Sequence, residues 1–201
     1  MKKLMMLVAL LLLGSTWSIK EVLADKDTDA VVEYDSGNLV LDPNAVLPDD
    51  LDFGTHEIQT LNPETLVAMV EDPEEEDEFI PVTSAVEVSD NRGDESGWVV
   101  KLAQVEQFET ASEAVLEDAQ LQITYGTLAN NLNLLPSISV AGGMTPVSIG
   151  TASDLIVAAE GQGIGETVLP INQFALHILA DTAKVPELYT AELNWTIEVG
   201  E

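Results

Sequence analysis

Near its C-terminal end the chain reads Tyr189-Thr190-Ala191-Glu192-Leu193-Asn194-Trp195-Thr196-Ile197-Glu198-Val199, apolar at every odd position and polar at every even one. Successive side chains of a β-strand point to opposite faces of a sheet, so a period of two spells a strand with one buried face. Tyr189, Leu193, Trp195 and Ile197 then face inward, and Thr190, Glu192, Asn194 and Glu198 face water. A helix would scatter these apolar residues around its circumference and leave no side to bury. An aromatic-rich strand this late in a chain is expected to close a sheet begun much earlier.

The same signal recurs upstream. Residues 81–89 set Val82, Ser84, Val86 and Val88 on one face, and 98–102 begin a further strand after a turn-rich stretch at 90–97. Two strands around such a loop make a hairpin or a corner between sheets. Residues 121–125 and 174–178 alternate cleanly, the latter placing His177 opposite Phe174, Leu176 and Ile178. Shorter strand candidates lie at 30–34, 38–41, 137–140, 146–149 and 155–158. Phe53 before Gly54 marks an anchor beside a sharp turn, 161–165 a turn or bulge, and 184–187 the turn into the closing strand. One short helix is expected at 61–70, with Asn62 as N-cap and Pro63 in the first turn. Strands at short intervals with almost no helical periodicity predict an all-β fold: a single-domain β-sandwich or barrel with long loops.

The first residues belong to export. Lys2-Lys3, an apolar run over 4–13 and the small-residue end Val22-Leu23-Ala24 make a secretory signal peptide. The run is about half of the ~20 residues needed to span a bilayer. The expected division is 1–24 signal peptide, 25–37 tail and first strand candidate, and 38–201 β domain. Over the whole chain 36 acidic residues face 7 basic ones, a formal charge of −29. Removing 1–24 takes away three lysines and one glutamate, leaving 35 acids against 4 bases and a charge of −31. Nucleic acid and anionic membrane surfaces need Lys and Arg to meet phosphate, so such a chain repels both. Cysteine is absent, which excludes disulfides, thiol catalysis and Cys-ligated zinc.

Chemistry-bearing patterns are sparse. His56 and His177 are the only imidazoles, and neither sits in a G-x-S-x-G or H-E-x-x-H arrangement. Carboxylate pairs suited to glycoside hydrolysis carry no information among so many acids. The reading is therefore not an enzyme and calls for no cofactor. A divalent cation is left open at the acidic run 71–78, which nonetheless lacks the glycine that calcium loops use for their tight turn. Residues 161–165 lack the lysine and spacing of a phosphate cradle. Arg92-Gly93-Asp94 is a tripeptide that integrins read, and equally what a turn would use.

Trp98 and Trp195 each sit in a strand signal, within Gly97-Trp98-Val99-Val100 and Leu193-Asn194-Trp195-Thr196-Ile197. With Leu51-Asp52-Phe53-Gly54, the glycines of 161–165 and the stretch from Val185-Pro186 to Tyr189, this resembles the WxL-domain family, surface proteins of Gram-positive bacteria with a proximal and a distal Trp-x-Leu motif. The resemblance covers the chain from about residue 39 onward. Val100 and Ile197 depart from the motif's leucine. It implies a secreted protein held non-covalently on the cell wall, with peptidoglycan as partner and other surface proteins of the same system beside it. Its implied binding residues are Trp98, Val100, Tyr189, Leu193, Trp195 and Ile197. No LPxTG sorting motif and no apolar tail follow Trp195, in keeping with that mode. Two other roles stay open: a structural subunit whose wall contact is made by a partner, and a matrix adhesin using the Arg92 loop.

Overall fold

In a computed structural model of the chain, the described residues are 37–41, 47, 48, 50–138 and 144–200, together with Val32. The expected leader 1–24 and, but for Val32, the strand candidate 30–34 lie outside them. Fifteen strands and no helix occur among them. In order these are β1 (Leu39–Leu41), β2 (Glu64–Val67), β3 (Met69–Glu71), β4 (Phe79–Pro81), β5 (Ser84–Asp90), β6 (Trp98–Gln104), β7 (Glu109–Thr110) and β8 (Gln120–Tyr125). They continue with β9 (Ala129–Asn130), β10 (Ser137–Ile138), β11 (Met144–Pro146), β12 (Ser153–Ala158), β13 (Gly165–Ile178), β14 (Tyr189–Thr190) and β15 (Leu193–Val199).

The larger sheet runs β1-β5-β13-β8-β11 and the smaller β10-β12-β6-β15, all in antiparallel pairs. Neither closes on itself, so of the two expected architectures the chain is a sandwich. The stretch 90–97 is the corner by which it leaves one sheet and enters the other.

β13 is the spine. One flank is covered by β5 and then β2, the other by β9 and then β8. Proline has no N–H for a ladder and is confined within sheets to edges and bulges. Pro170 obeys this, sitting beside a register shift between Ile171 and Gln173, with its carbonyl accepting from Gly126 N–H. Alternate residues of both sheets meet in one core, where Trp98, Val100, Leu121, Ile123, Ile156, Leu169, Ile171 and Phe174 are fully buried. Phe53 packs on this core and meets Phe108 edge to face at 6.2 Å, while Gly54 beyond it takes a φ of 81°.

Two expectations need correction. Residues 61–70 form no helix; they make a turn followed by β2 and β3. The turn is held by Gln59, whose Oε1 accepts from Leu61 and Asn62 N–H while its Nε2 donates to the Asn62 carbonyl. Beyond it, β2 pairs with Ala175–Ile178 of β13, and fully buried Ala68 donates to the Phe174 carbonyl. A free sheet flank thus outbids a locally plausible cap. Residues 189–199 are likewise two strands: β14 pairs with β7, and Ala191 and Glu192 carry the chain to β15, which pairs with β6.

Lys184, in the turn before β14, bonds the Glu64 carboxylate at 3.0 Å and the Gln59 carbonyl at 2.8 Å. Burial alone would raise the Glu64 pKa. Hydrogen bonds from Lys184 and Gln59, with the Lys184 charge, outweigh it and hold the carboxyl below its ordinary value of 4.5. A carboxylate depressed in the folded state stabilises at pH above its unfolded value, and the contribution disappears as pH falls through the folded value. Melting temperature should therefore fall in that acidic window, and Glu64→Gln should flatten this part of the profile. Identical slopes for wild type and variant would show that the pair is idle.

Candidate functional site

The two tryptophan motifs, almost a hundred residues apart in sequence, lie on adjacent strands. In the β6–β15 ladder Val100 stands opposite Ile197, Leu102 opposite Trp195, Trp98 opposite Val199 and Gln104 opposite Leu193. Directly opposed residues share a face, so both motifs project into the sandwich. Five of the six expected site residues are thereby gathered on one two-strand ribbon. Tyr189 sits apart on the β14–β7 ladder, its phenol oxygen accepting from Val185 N–H at 2.9 Å.

The two indoles have unlike surroundings. Trp98 is 0% exposed, and its Nε1–H donates to the Gly163 carbonyl at 3.2 Å. Gly163 lies flat against the ring: a Cβ there would stand 2.6 Å from Cζ2, and its φ is +71°. Its own N–H bonds the Leu134 carbonyl at 2.7 Å. The segment 161–165, expected as a turn or bulge, is thus the clasp that closes over the proximal tryptophan. Gly163→Ala should cost about 2–3 kcal/mol by combining a left-handed backbone with overpacking. Urea denaturation checks it; an unchanged midpoint would mean that the ring is free to move aside.

Asparagines build the other side of the clasp. Buried Asn130 donates from Nδ2 to the Ile164 carbonyl and to Thr167 Oγ1, both at 3.0 Å, and accepts at Oδ1 from Leu132 and Leu134 N–H. Asn131 Oδ1 accepts from Glu166 N–H at 3.0 Å. These asparagines fall in a stretch, 128–135, rich in Asn and Leu, whose composition does not say what it holds. Asn and Asp favour local loop bonding, and that was the available signal.

Trp195, by contrast, is only partly buried on β15 at the sheet's edge and packs against the core there, as do Leu193 and Ile197. Lys101 of β6 forms an ion pair with Glu198 across the ladder on the opposite, solvent-facing side.

Elsewhere the remaining candidates take structural places. Arg92 turns inward, giving Nε and Nη2 to the two Asp90 oxygens at 2.9 and 2.8 Å and Nη2 to the Ser96 carbonyl at 2.7 Å. Asp94 accepts from Ser96 Oγ and N–H. The acidic run 71–78 is the exposed tip joining β3 to β4, and among the described residues no three acidic or histidine side chains are grouped to hold a metal ion. His177 meets Thr65 Oγ1 at 3.2 Å and His56 the Phe53 carbonyl at 2.6 Å. Among the described residues no helix is long and apolar enough to cross a membrane.

One family model matches this chain over residues 22–199; its description is WxL domain, surface cell wall-binding. No curated protein and no solved structure gives a significant match.

Proposed function

We propose, on the premise that the chain belongs to the WxL family of surface cell wall-binding domains, that it is exported and docks without a covalent link on the peptidoglycan of a Gram-positive envelope, with the exposed part of Trp195 as a contact. The observation that carries this reading is the unequal placement of the two motif indoles. Trp98 has no surface to offer, whereas Trp195 keeps part of its ring at the sandwich edge. An indole can stack on the apolar face of a sugar while its N–H meets a hydroxyl. Val100 and Ile197 then serve as packing beneath the contact, and replacement of the motif's leucine by other strand formers is tolerated there. No catalytic role is proposed.

Sedimentation of the purified mature chain with protein-free walls tests the proposal. The wild type should pellet without any partner, and Trp195→Ala should bind about tenfold more weakly or worse, a loss of about 1.4 kcal/mol or more. Moderate salt or calcium should strengthen binding, because wall polymers such as teichoic acids share the chain's negative sign. Wild-type protein left in the supernatant would favour the competing reading, a subunit held on the wall by a partner. Trp195→Ala pelleting like wild type would remove the indole from the contact.

A further inference from the structure

The two large sheets are bordered by six strands, and five are short: β1, β2, β9, β10 and β11 have two to four residues each. β15 is the sixth and has seven. A long edge strand offers a row of unpaired N–H and C=O groups, and proteins ordinarily blunt it with lysine, proline or a bulge. β15 has none of these: between Leu193 and Val199 the ladder to β6 runs without a register shift, and the segment holds no Lys, Pro or Gly.

Two bonds fix which residues of β15 face outward. Gly200 N–H donates to the Gly97 carbonyl at 2.7 Å, and Val105 N–H to the Glu192 carbonyl at 2.8 Å. In an antiparallel ladder every second residue exchanges bonds with its partner. Asn194, Thr196 and Glu198 therefore bond to β6. Leu193, Trp195, Ile197 and Val199 direct their N–H and C=O away from it, where no further strand is paired among the described residues, although β1 of the larger sheet passes close by. These four also carry the apolar side chains, and the stripe opens to solvent until Val199 is 58% exposed. Outward backbone groups and a half-open apolar stripe thus coincide on one flank.

Charge narrows the occupant. Glu192 and Glu198 are exposed beside the edge. Among the described residues Arg92, Lys101 and Lys184 are each already paired with a carboxylate of the same chain, to Asp90, Glu198 and Glu64. A second mature copy would add another chain of formal charge −31 with no spare described cation to offset it. The complementary partner is basic.

We propose that the outer edge of β15 receives an extended, basic segment of another protein as an added strand. Its alternate apolar side chains continue the stripe over Trp195 and Ile197, and its lysines or arginines on the other face meet Glu192. β-Strand addition of this kind draws affinity from main-chain bonds and specificity from alternate side chains. The inference stands on backbone geometry and charge, not on glycan stacking, so either reading can fail alone.

The probe is a nine-residue synthetic peptide alternating lysine and valine, with a control of equal composition whose lysines and valines are in separate blocks. Amide exchange of the mature protein is followed residue by residue by NMR. With the alternating peptide, exchange at Leu193, Trp195, Ile197 and Val199 should slow about tenfold or more, while Asn194, Thr196 and Glu198, already bonded, stay as they were. The block peptide should leave all seven unchanged. Ile197→Pro removes an outward N–H that β6 does not use, a substitution tolerated at strand edges, and should weaken the peptide about tenfold or more in a folded domain. If that variant does not fold, the wild-type exchange pattern decides. No slowing at millimolar peptide, slowing at another edge instead, Ile197→Pro binding as wild type does, or dimerisation through β15 without peptide would each overturn the proposal.

Discussion

Trp98→Ala should cost the domain about 3–5 kcal/mol, the range for truncating a large buried aromatic to alanine. The side chain is 0% exposed and spans from β6 to the 161–165 clasp, so its removal leaves a void that neighbours on two sheets must fill. It also leaves the Gly163 carbonyl without its donor, a further penalty for a buried polar group. At a urea dependence of about 1–3 kcal/mol per molar, the unfolding midpoint should drop by roughly 1–5 M. Trp195→Ala, taken from a partly exposed site, should cost about half as much or less on the same transfer scale. Wall binding should follow the two variants in opposite order: Trp98→Ala loses it only in proportion to the unfolded fraction, and Trp195→Ala loses it while folded. Equal destabilisation by the two, or a loss under about 1 kcal/mol at Trp98, would place the proximal indole outside the core.

Much of the sandwich could be read from alternation alone. β5, β8 and β15 lie where period-two patterns fall, because each buries one face more deeply than the other, and β6 starts where the turn-rich stretch 90–97 ends. The spine β13 was legible only in its second half, 174–178. Its first half begins at a glycine and contains Pro170, two residues that ordinarily end strands, and the strand survives them through a bulge that local sequence does not announce. The misread helix at 61–70 failed for the opposite reason. Asn62-Pro63-Glu64 is a sound local start signal, overruled by an open flank of β13 more than a hundred residues away.

For the candidate site, residue types were visible and their geometry was not. Trp98 and Trp195 stood out as rare aromatics in strand patterns, yet that they lie on neighbouring strands with Val100 facing Ile197 depends on a long-range register. Their difference in exposure follows from position, β6 being internal to its sheet and β15 lying at its edge. Nothing local to Gly163 or Asn130 says that they close over an indole. Such contacts are set by the packing of loops from distant parts of the chain, which residue periodicity does not encode.

Arg92→Ala should be the second large loss, again about 3–5 kcal/mol, because it strands a buried carboxylate. Asp90 is 1% exposed and the Arg92 side chain 12%, and the guanidinium braces the corner between the sheets by also holding the Ser96 hydroxyl and carbonyl. The hydrogen bond to Asp90 leads the effects that raise the Arg92 pKa above its ordinary value, so alkali does not discharge the pair. Removing one partner of a buried pair is far costlier than removing both, since only the first leaves an uncompensated charge. The double variant Asp90→Asn/Arg92→Met should therefore recover a good part of the loss in urea denaturation, which a simple sum of two independent defects would not allow. The same experiment judges the adhesive reading of Arg92-Gly93-Asp94. A receptor would have to pull Arg92 from its bonds to Asp90 and Ser96, so Asp94→Glu should leave cell adhesion unaltered. An Arg92→Ala protein with an unshifted midpoint would mean that the guanidinium is solvated and open to a receptor after all.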